Sequence, residues 1–426
     1  AMLGETLPRL SAAESEAEIA TTGLRACAVA TSVQRALYVR FDQRTKTCEV
    51  LVHVEVDARG RAAVRPYPKS EIVGVEGGLL AEVFRDGGTV VLRSVDSLGV
   101  VDADSPESLA TREVLGAAIT CDDGDRRVVL GALLLFDKVD GGYGDRQARL
   151  GSEERQVAVS FASMLGAVIG ARQSAELGKE LSMAQAIQAQ ILPASAAVVA
   201  GFDLAGDYRT SGEVGGDYFD YVQLADGRTL AVVADVSGHN LASGMMMVSA
   251  RATLRTLAAV RSDAAHLFSD LASGMFTDLM RTERFITAAG VALRSRSGEV
   301  EIVSAGHNEI LLYRAADGLV TRLQADSTVF GFVPNAEYEC QSVELQTGDC
   351  LLLYTDGVTE ATNGDEEMFG EDRLAEVLAA TASGSSRAIV AAVLAQVDAF
   401  REPGQRGDDV TVVAIKKTAV ATGKLA

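Results

Sequence analysis

Four short acidic stretches of the 426-residue chain hold most of its chemistry: Gly215-Gly216-Asp217-Tyr218-Phe219-Asp220, Ala234-Asp235-Val236-Ser237-Gly238-His239, Tyr354-Thr355-Asp356-Gly357 and Asp408-Asp409-Val410-Thr411. Each lies at the end or edge of an apolar segment that reads as a strand. One Asp beside a Gly is ordinary turn chemistry. Four such clusters on four strands point instead to carboxylates gathered at one edge of a sheet. Carboxylates a few Å apart repel one another and need protons or cations between them. Oxygen-only donors select hard ions, Mg²⁺ or Mn²⁺. The four histidines, His53, His239, His266 and His307, do not pair at zinc spacing. The five cysteines are scattered, with no C-x-x-C, and read as reduced core or strand residues.

The first two clusters allow a register argument. Asp217 and Asp235 flank Ala225-Asp226-Gly227. A three-residue hairpin loop with Gly in the left-handed position is a favoured form. In that register the numbers of paired residues sum to 452, and Asp217 faces Asp235 on one side of the ribbon. A two-residue Asp-Gly loop would send the two to opposite faces, so the chemistry depends on the turn. Asp356 ends one strand, and Asp408 begins another that can lie antiparallel beside it.

The surrounding elements divide the chain into three parts and a tail. Residues 1–150 mix helix and strand signals, with strands at 36–41, 47–56, 89–92 and 127–136, and read as a small α+β domain with an antiparallel sheet. Residues 151–195 contain one long helix with an apolar stripe at Val157, Phe161, Met164, Val168, Ala171 and Ala175. Its steps of four and three are those of a coiled coil. The alternative is a helix packed on its own domain. After Gly178 the stripe shifts to Leu181, Ala184, Ile187 and Ile191, which marks Gly178 as a hinge, and Pro193 ends the helix. Residues 196–417 are strand-rich, with helical patterns at 242–260, 264–280, 372–381 and 386–400, and read as a sheet sandwich flanked by helices. Residues 418–426 are a tail.

Composition bounds the partners. Thirty-nine Lys and Arg against 59 Asp and Glu give a net charge of −20, which argues against nucleic acid or an anionic membrane as the main partner. No apolar run reaches the ~18 residues of a membrane helix, and the first residues show no secretory leader. The expected location is cytoplasmic.

The third part resembles the SpoIIE-like branch of the metal-dependent (PPM) serine/threonine protein phosphatase family. The stretches that carry the resemblance are S-G-E-V-G-G-D-Y-F-D (211–220), A-D-V-S-G-H (234–239), S-A-G-H-N (304–308), L-Y-T-D-G-V-T-E-A (353–361) and D-D-V-T (408–411), in family order. L-S-M-A-Q-A-I-Q-A-Q-I-L-P (181–193) resembles the helical linker that precedes such domains. The resemblance implies a β-sandwich between helices with two Mn²⁺ or Mg²⁺ ions at one end. Asp235 would bridge the ions, Asp217 and the carbonyl of Val236 would complete one site, and Asp356 and Asp408 the other. Asp409 is the neighbour that can be mistaken for Asp408. Water then attacks phosphorus directly, with no phospho-enzyme.

The chain also departs from the wider family. The Asp-Gly-His of many members is Asp235-Val236-Ser237 here, so no His matches their general-acid position; His239 and His307 are the nearby candidates. Asn240 replaces a Gly that often follows the Gly-His pair. Arg209 is a weak candidate for gripping phosphate and reads better as a surface strand residue. The first part resembles a GAF domain, on G-V-E-G-G-L-L-A-E-V-F-R-D-G-G-T-V-V-L (74–92), L-G-A-L-L-L-F (130–136) and the long helix, with a PAS-like sensor as the rival. Together these imply a sensor-regulated phosphatase that acts on a phosphorylated STAS-domain anti-sigma-factor antagonist, answers an unknown small-molecule or protein signal, and pairs as a homodimer through its linker. A catalytically silent scaffold that only binds a partner is the alternative, and the intact acidic positions count against it. A degenerate diguanylate cyclase reading of Gly-Gly-Asp-Tyr-Phe fails, because Tyr218 replaces that class's acidic residue and Asp356 and Asp408 go unexplained.

Overall fold

Apolar alternation builds three antiparallel sheets in the computed structural model, which describes residues 6, 8–10, 12–57, 59–66, 73–74, 78–86, 88–92, 113–123, 126–139, 149–212, 214–238, 240–323, 327–402 and 407–419. The chain divides into two units, Ala1–Gly178 and Lys179–Ala426.

In the first unit, α1 (Glu16–Thr31) starts at Ser15, whose side chain accepts from the Glu18 N–H. The strands are β1 (Val33–Asp42), β2 (Thr47–Val56), β3 (Ala62–Arg65), β4 (Val73–Gly74), β5 (Thr89–Leu92), β6 (Val114–Asp123) and β7 (Arg126–Lys138), with α2 (Gly78–Asp86) between β4 and β5. They form one sheet in the order β3-β2-β1-β7-β6-β5, with β4 on β2. One face buries Tyr38, Val52, Ile119 and Leu133 against Ile19 and Leu24 of α1 and against the start of α3 (Ser152–Ile191). The other face buries Val39 and Leu134 against Leu80 and Val83 of α2. The expected α+β domain with an antiparallel sheet is present. Of the glycine-rich stretch behind the GAF resemblance, residues 75–77 and 87 lie outside the described residues.

The long helix α3 is continuous, but its stripe is divided. Phe161 is buried in the first unit's core, and Val157, Met164 and Val168 pack against the same core. A face already packed on a sheet cannot also be a coiled-coil seam, so this part of the stripe follows the alternative of a helix packed on its own domain. Beyond Gly178, Met183 and Ile187 are 68% and 56% exposed. Among the described helices, α3 alone is long and apolar enough to cross a membrane by length and composition.

The second unit holds β8 (Phe202–Arg209), β9 (Tyr218–Gln223), β10 (Thr229–Val236), β11 (Ile286–Leu293), β12 (Glu299–Ala305), β13 (Ile310–Tyr313), β14 (Val320–Leu323), β15 (Cys340–Glu344), β16 (Cys350–Tyr354) and β17 (Val410–Lys417). Its helices are α4 (Leu241–Ala258), α5 (Ala264–Arg281), α6 (Asp356–Thr359), α7 (Gly370–Thr381) and α8 (Ser386–Phe400). The strands form two five-stranded sheets, β15-β12-β11-β10-β9 and β14-β13-β16-β17-β8. Val233, Val291 and Ile302 of one sheet meet Leu312, Leu353 and Val413 of the other in a shared core. α4 and α5 cover the outside of the first sheet through Leu254, Phe268 and Leu271. α7 and α8 cover the second through Leu374, Leu378 and Val393. Burying each such Val or Leu contributes about 1.5–3 kcal/mol, so the strand ends emerge from a rigid base. The expected sandwich flanked by helices is thus observed.

Candidate metal and active site

The β9–β10 hairpin turns as the register argument requires. Leu224 N–H donates to Arg228 O at 2.8 Å and closes the loop Ala225-Asp226-Gly227, with Gly227 at φ +84°. That left-handed backbone favours glycine. The pairs Gln223–Thr229 through Tyr218–Ala234 all keep the 452 register. Val236 N–H donates to Gly216 O at 3.3 Å, two residues further along. Asp217 and Asp235 therefore stand opposite each other, bracketed by paired residues, and their carboxyl groups come within hydrogen-bonding reach.

The other sheet supplies the second pair. β16 and β17 are antiparallel neighbours, with Tyr354 beside Val412. Thr355 N–H donates to Thr411 O at 3.1 Å, and Thr411 N–H donates to the Thr355 hydroxyl at 2.9 Å. Asp356 follows at once as the first residue of α6. Gly357 is needed there because a Cβ would lie 1.8 Å from the Asp409 carbonyl oxygen. Arg401 donates to the carbonyls of Gly357 at 3.0 Å and Asp408 at 3.4 Å, tying these loops together.

Two threonine hydroxyls link the sheets at the site. Thr355 and Thr411 each donate to Asp217 Oδ2 at 2.7 Å. Burial, then the Asp235 charge, nevertheless holds the Asp217 carboxyl well above the usual range. Asp235 is pushed up to about 7 by burial and by Asp356, Asp408 and Asp409. Asp356 is raised by burial, then by Glu360 and Asp408. The structure thus brings Asp217, Asp235, Asp356 and Asp408 to one end of the sandwich. The charges that weigh most on this group are other carboxylates, and the donors are all oxygen. That chemistry fits hard divalent cations. Among the described residues, no three His, Cys, Asp or Glu side chains stand in a metal-holding group.

Asp408 and Asp409 are separated by their surroundings. Asp409 is 3% exposed, and its two oxygens accept from Ser211 N–H and Gly216 N–H at 2.7 Å each. It anchors the loop before Asp217, whereas Asp408 is exposed. The Val236 backbone lies beside Gly216, in line with Asp235. Asn240 caps α4, accepting from Ala242 and Ser243 N–H. Arg284 donates to the Ser237 carbonyl and, at 3.0 Å, to Asn240 Oδ1, holding the turn after Asp235. His239 lies outside the described residues. Arg209 is a surface strand residue paired with Asp398.

His307 stands between the sheets. Its Nε2–H donates to Tyr354 O at 3.1 Å, so Nδ1 accepts from the Thr287 hydroxyl at 2.7 Å. Thr287 is the cross-strand partner of Asp235. Burial pushes this imidazole down to about 4, so it is neutral at pH 7. The sequence gives no role to Thr287, Thr355, Thr411, Arg284 or Arg401; Thr355 and Thr411 lie inside two of the acidic stretches, and Thr287 is a polar side chain on an otherwise apolar strand.

Residues 225–418 match the family model described as stage II sporulation protein E (SpoIIE). Protein IcfG of Synechocystis sp. is 24% identical over 262 residues, covering 55% of this chain and 41% of that protein. Phosphoserine phosphatase RsbP of Bacillus subtilis is 25% identical over 158 residues, covering 36% of this chain and 39% of that protein. The chain therefore spans about two fifths of the length of these curated relatives. The SiaA-PP2C domain of Pseudomonas aeruginosa shares the fold, with a TM-score of 0.51 and 24% identity over 57% of this chain and 98% of that one.

Proposed function

We propose that the C-terminal unit is a SpoIIE-like protein serine/threonine phosphatase domain of the metal-dependent (PPM) family, and that the chain as a whole is a sensor-regulated phosphatase acting on a phosphorylated STAS-domain protein. The observation that carries the reading is the meeting of Asp217, Asp235, Asp356 and Asp408 where the two sheets end. Two Mn²⁺ or Mg²⁺ ions held there would supply Lewis acidity and orient phosphate and water for in-line attack. Asp235 would touch both ions, Asp217 and the Val236 carbonyl one, and Asp356 and Asp408 the other.

The chain's own residues prepare that geometry. Thr355 and Thr411 fix the Asp217 carboxylate, Asp409 fixes the loop before it, and His307 holds the two strand ends at one spacing. The antiparallel sheet of the first unit, covered by helices on both faces, supports the GAF-like sensor reading. The exposed Met183 and Ile187 on α3 support pairing of two copies through the part of the helix beyond Gly178. The cytoplasm suits reduced cysteines, and all five are free.

Phosphate release from a phosphoserine STAS protein by the full chain, across a Mn²⁺ titration, tests the reading. Metal-dependent release that stops in chelator is expected. Turnover undiminished in excess chelator overturns it.

A further inference from the structure

The linker stretch 181–193 holds three glutamines, Gln185, Gln188 and Gln190. Only Gln188 is buried, at 4% exposure, although it lies on the same helix as the exposed Met183 and Ile187. Both ends of its amide engage one residue. Gln188 Nε2 donates to Gly215 O at 2.7 Å, and Gly215 N–H donates to Gln188 Oε1 at 3.0 Å. This closed pair ties α3 to the backbone of the loop that precedes Asp217.

The loop has no slack at that point. A Cβ on Gly215 would lie 2.1 Å from the Tyr208 hydroxyl and 2.4 Å from Asp409 Oδ2. The next N–H, of Gly216, is held by Asp409 at 2.7 Å. Gly215 is thus clasped by Gln188 on one side and by the Asp409 anchor on the other. Asp217 follows two residues later, no more than about 7 Å along the chain, and is itself fixed by the hydroxyls of Thr355 and Thr411. Without Gln188, a buried N–H and a buried carbonyl would both lack partners, and the loop would have to move to reach others.

We propose that Gln188 is a positioning residue for the metal-holding carboxylate Asp217: the side-chain amide of the linker helix sets the backbone of Gly215-Gly216 and so the place of Asp217. The inference rests on the divalent-metal reading of the site. It also gives the helix a route to the chemistry. A rotation or shift of α3 that withdraws Gln188 releases the Gly215 pair and lowers affinity for the cation held by Asp217, with no change in any ligand.

The test is Mn²⁺ binding by the full chain, followed by electron paramagnetic resonance, together with phosphate release across the same titration. Gln188→Met keeps the length and removes both hydrogen bonds. We expect about a tenfold weaker Mn²⁺ affinity or more, the range for outer partners of metal ligands, with turnover restored at saturating Mn²⁺. Ile191→Ala loosens the packing of the same helix end against the core but leaves the amide pair, and should keep Mn²⁺ affinity within twofold. If Gln188→Met does not fold, Gln188→Glu takes its place; it keeps the acceptor but sets a carboxylate against Gly215 O, and the same weakening is expected. Wild-type affinity in the Gln188 variant, or an equal loss in Ile191→Ala, overturns the positioning role. Absence of Mn²⁺ binding in the wild-type chain overturns the metal reading itself, and the inference with it.

Discussion

The imidazole of His307 donates to the carbonyl oxygen of Tyr354 at 3.1 Å, two residues before Asp356. Its other nitrogen takes the hydroxyl proton of Thr287, the neighbour of Asp235 across the strands. One neutral ring therefore sets the distance between the two sheets where the carboxylates meet. His307→Ala should lower stability by about 1–3 kcal/mol, the cost of leaving buried polar groups unpaired, and should raise the Mn²⁺ requirement. The ring's affinity for protons is depressed from an ordinary value near 6.5 to about 4. Between those values the unfolded chain binds more protons than the folded one. The stability this group gives is therefore present above about 6.5 and lost as pH falls toward 4. Thermal unfolding of wild type and variant at pH 5 and pH 7.5 checks this: the two melting points should approach each other at the lower pH.

Metal and proton should compete at Asp235. In the metal-free chain its carboxyl holds a proton up to about 7, against about 3.9 in an unfolded chain. The folded state binds more protons across that window, so this group lowers stability as pH rises through it. A cation displaces the proton and removes the repulsion. The rise in melting temperature on adding Mn²⁺ should therefore be larger at pH 8 than at pH 6, and calorimetric titration in buffers of different ionisation enthalpy should show proton release at pH 6. A pH-independent shift would place the ion elsewhere.

Thr355 and Thr411 offer a cleaner perturbation than removal of a ligand. Both hydroxyls donate to Asp217 Oδ2, and Thr355 also accepts from Thr411 N–H. Thr411→Val keeps the shape and removes one charge-assisted bond, so about 10–100-fold weaker Mn²⁺ binding is expected. Thr355→Val also orphans a buried N–H and should be the less stable of the two. Metal titration and thermal melts of both variants measure this order directly.

The sequence disclosed the site because turn chemistry is local. The sequence narrowed the β9–β10 hairpin to two loop types; the left-handed Gly227 of the structure selects the three-residue form, and through it the meeting of Asp217 with Asp235. Strands at 230–235, 285–293 and 350–354 were legible because they are apolar runs buried on both faces. β6, with Gly116, Ala117 and Ala118 at its centre, and the short polar β14 gave no comparable pattern; neighbouring strands, not side-chain periodicity, make them strands. The stripe on α3 was visible, but periodicity cannot tell a sheet from a second helix as the partner. Phe161 and Leu165 are buried within the first unit. The roles of Gln188, His307 and the two threonines depend on contacts between residues far apart in the chain, which spacing does not encode.

Replacing individual carboxylates should separate ligands from anchors. Asp235→Ala would remove a donor common to both ions, and activity should fall beyond the ~10–100-fold typical of outer partners, with no rescue at high Mn²⁺. Asp356→Ala and Asp408→Ala would each weaken one ion, so millimolar Mn²⁺ should restore part of the turnover. Asp409→Ala should behave differently from its neighbour. Its carboxylate holds the N–H groups of Ser211 and Gly216, so its loss leaves two backbone donors without their acceptor and should cost several kcal/mol of stability at most. The melting temperature should drop in Asp409→Ala and hold in Asp408→Ala, whose side chain is exposed. Phosphate release across a Mn²⁺ titration, read beside thermal melts of the four variants, decides the assignment. Full activity in Asp235→Ala, or a stable Asp409→Ala beside an unstable Asp408→Ala, would reverse it.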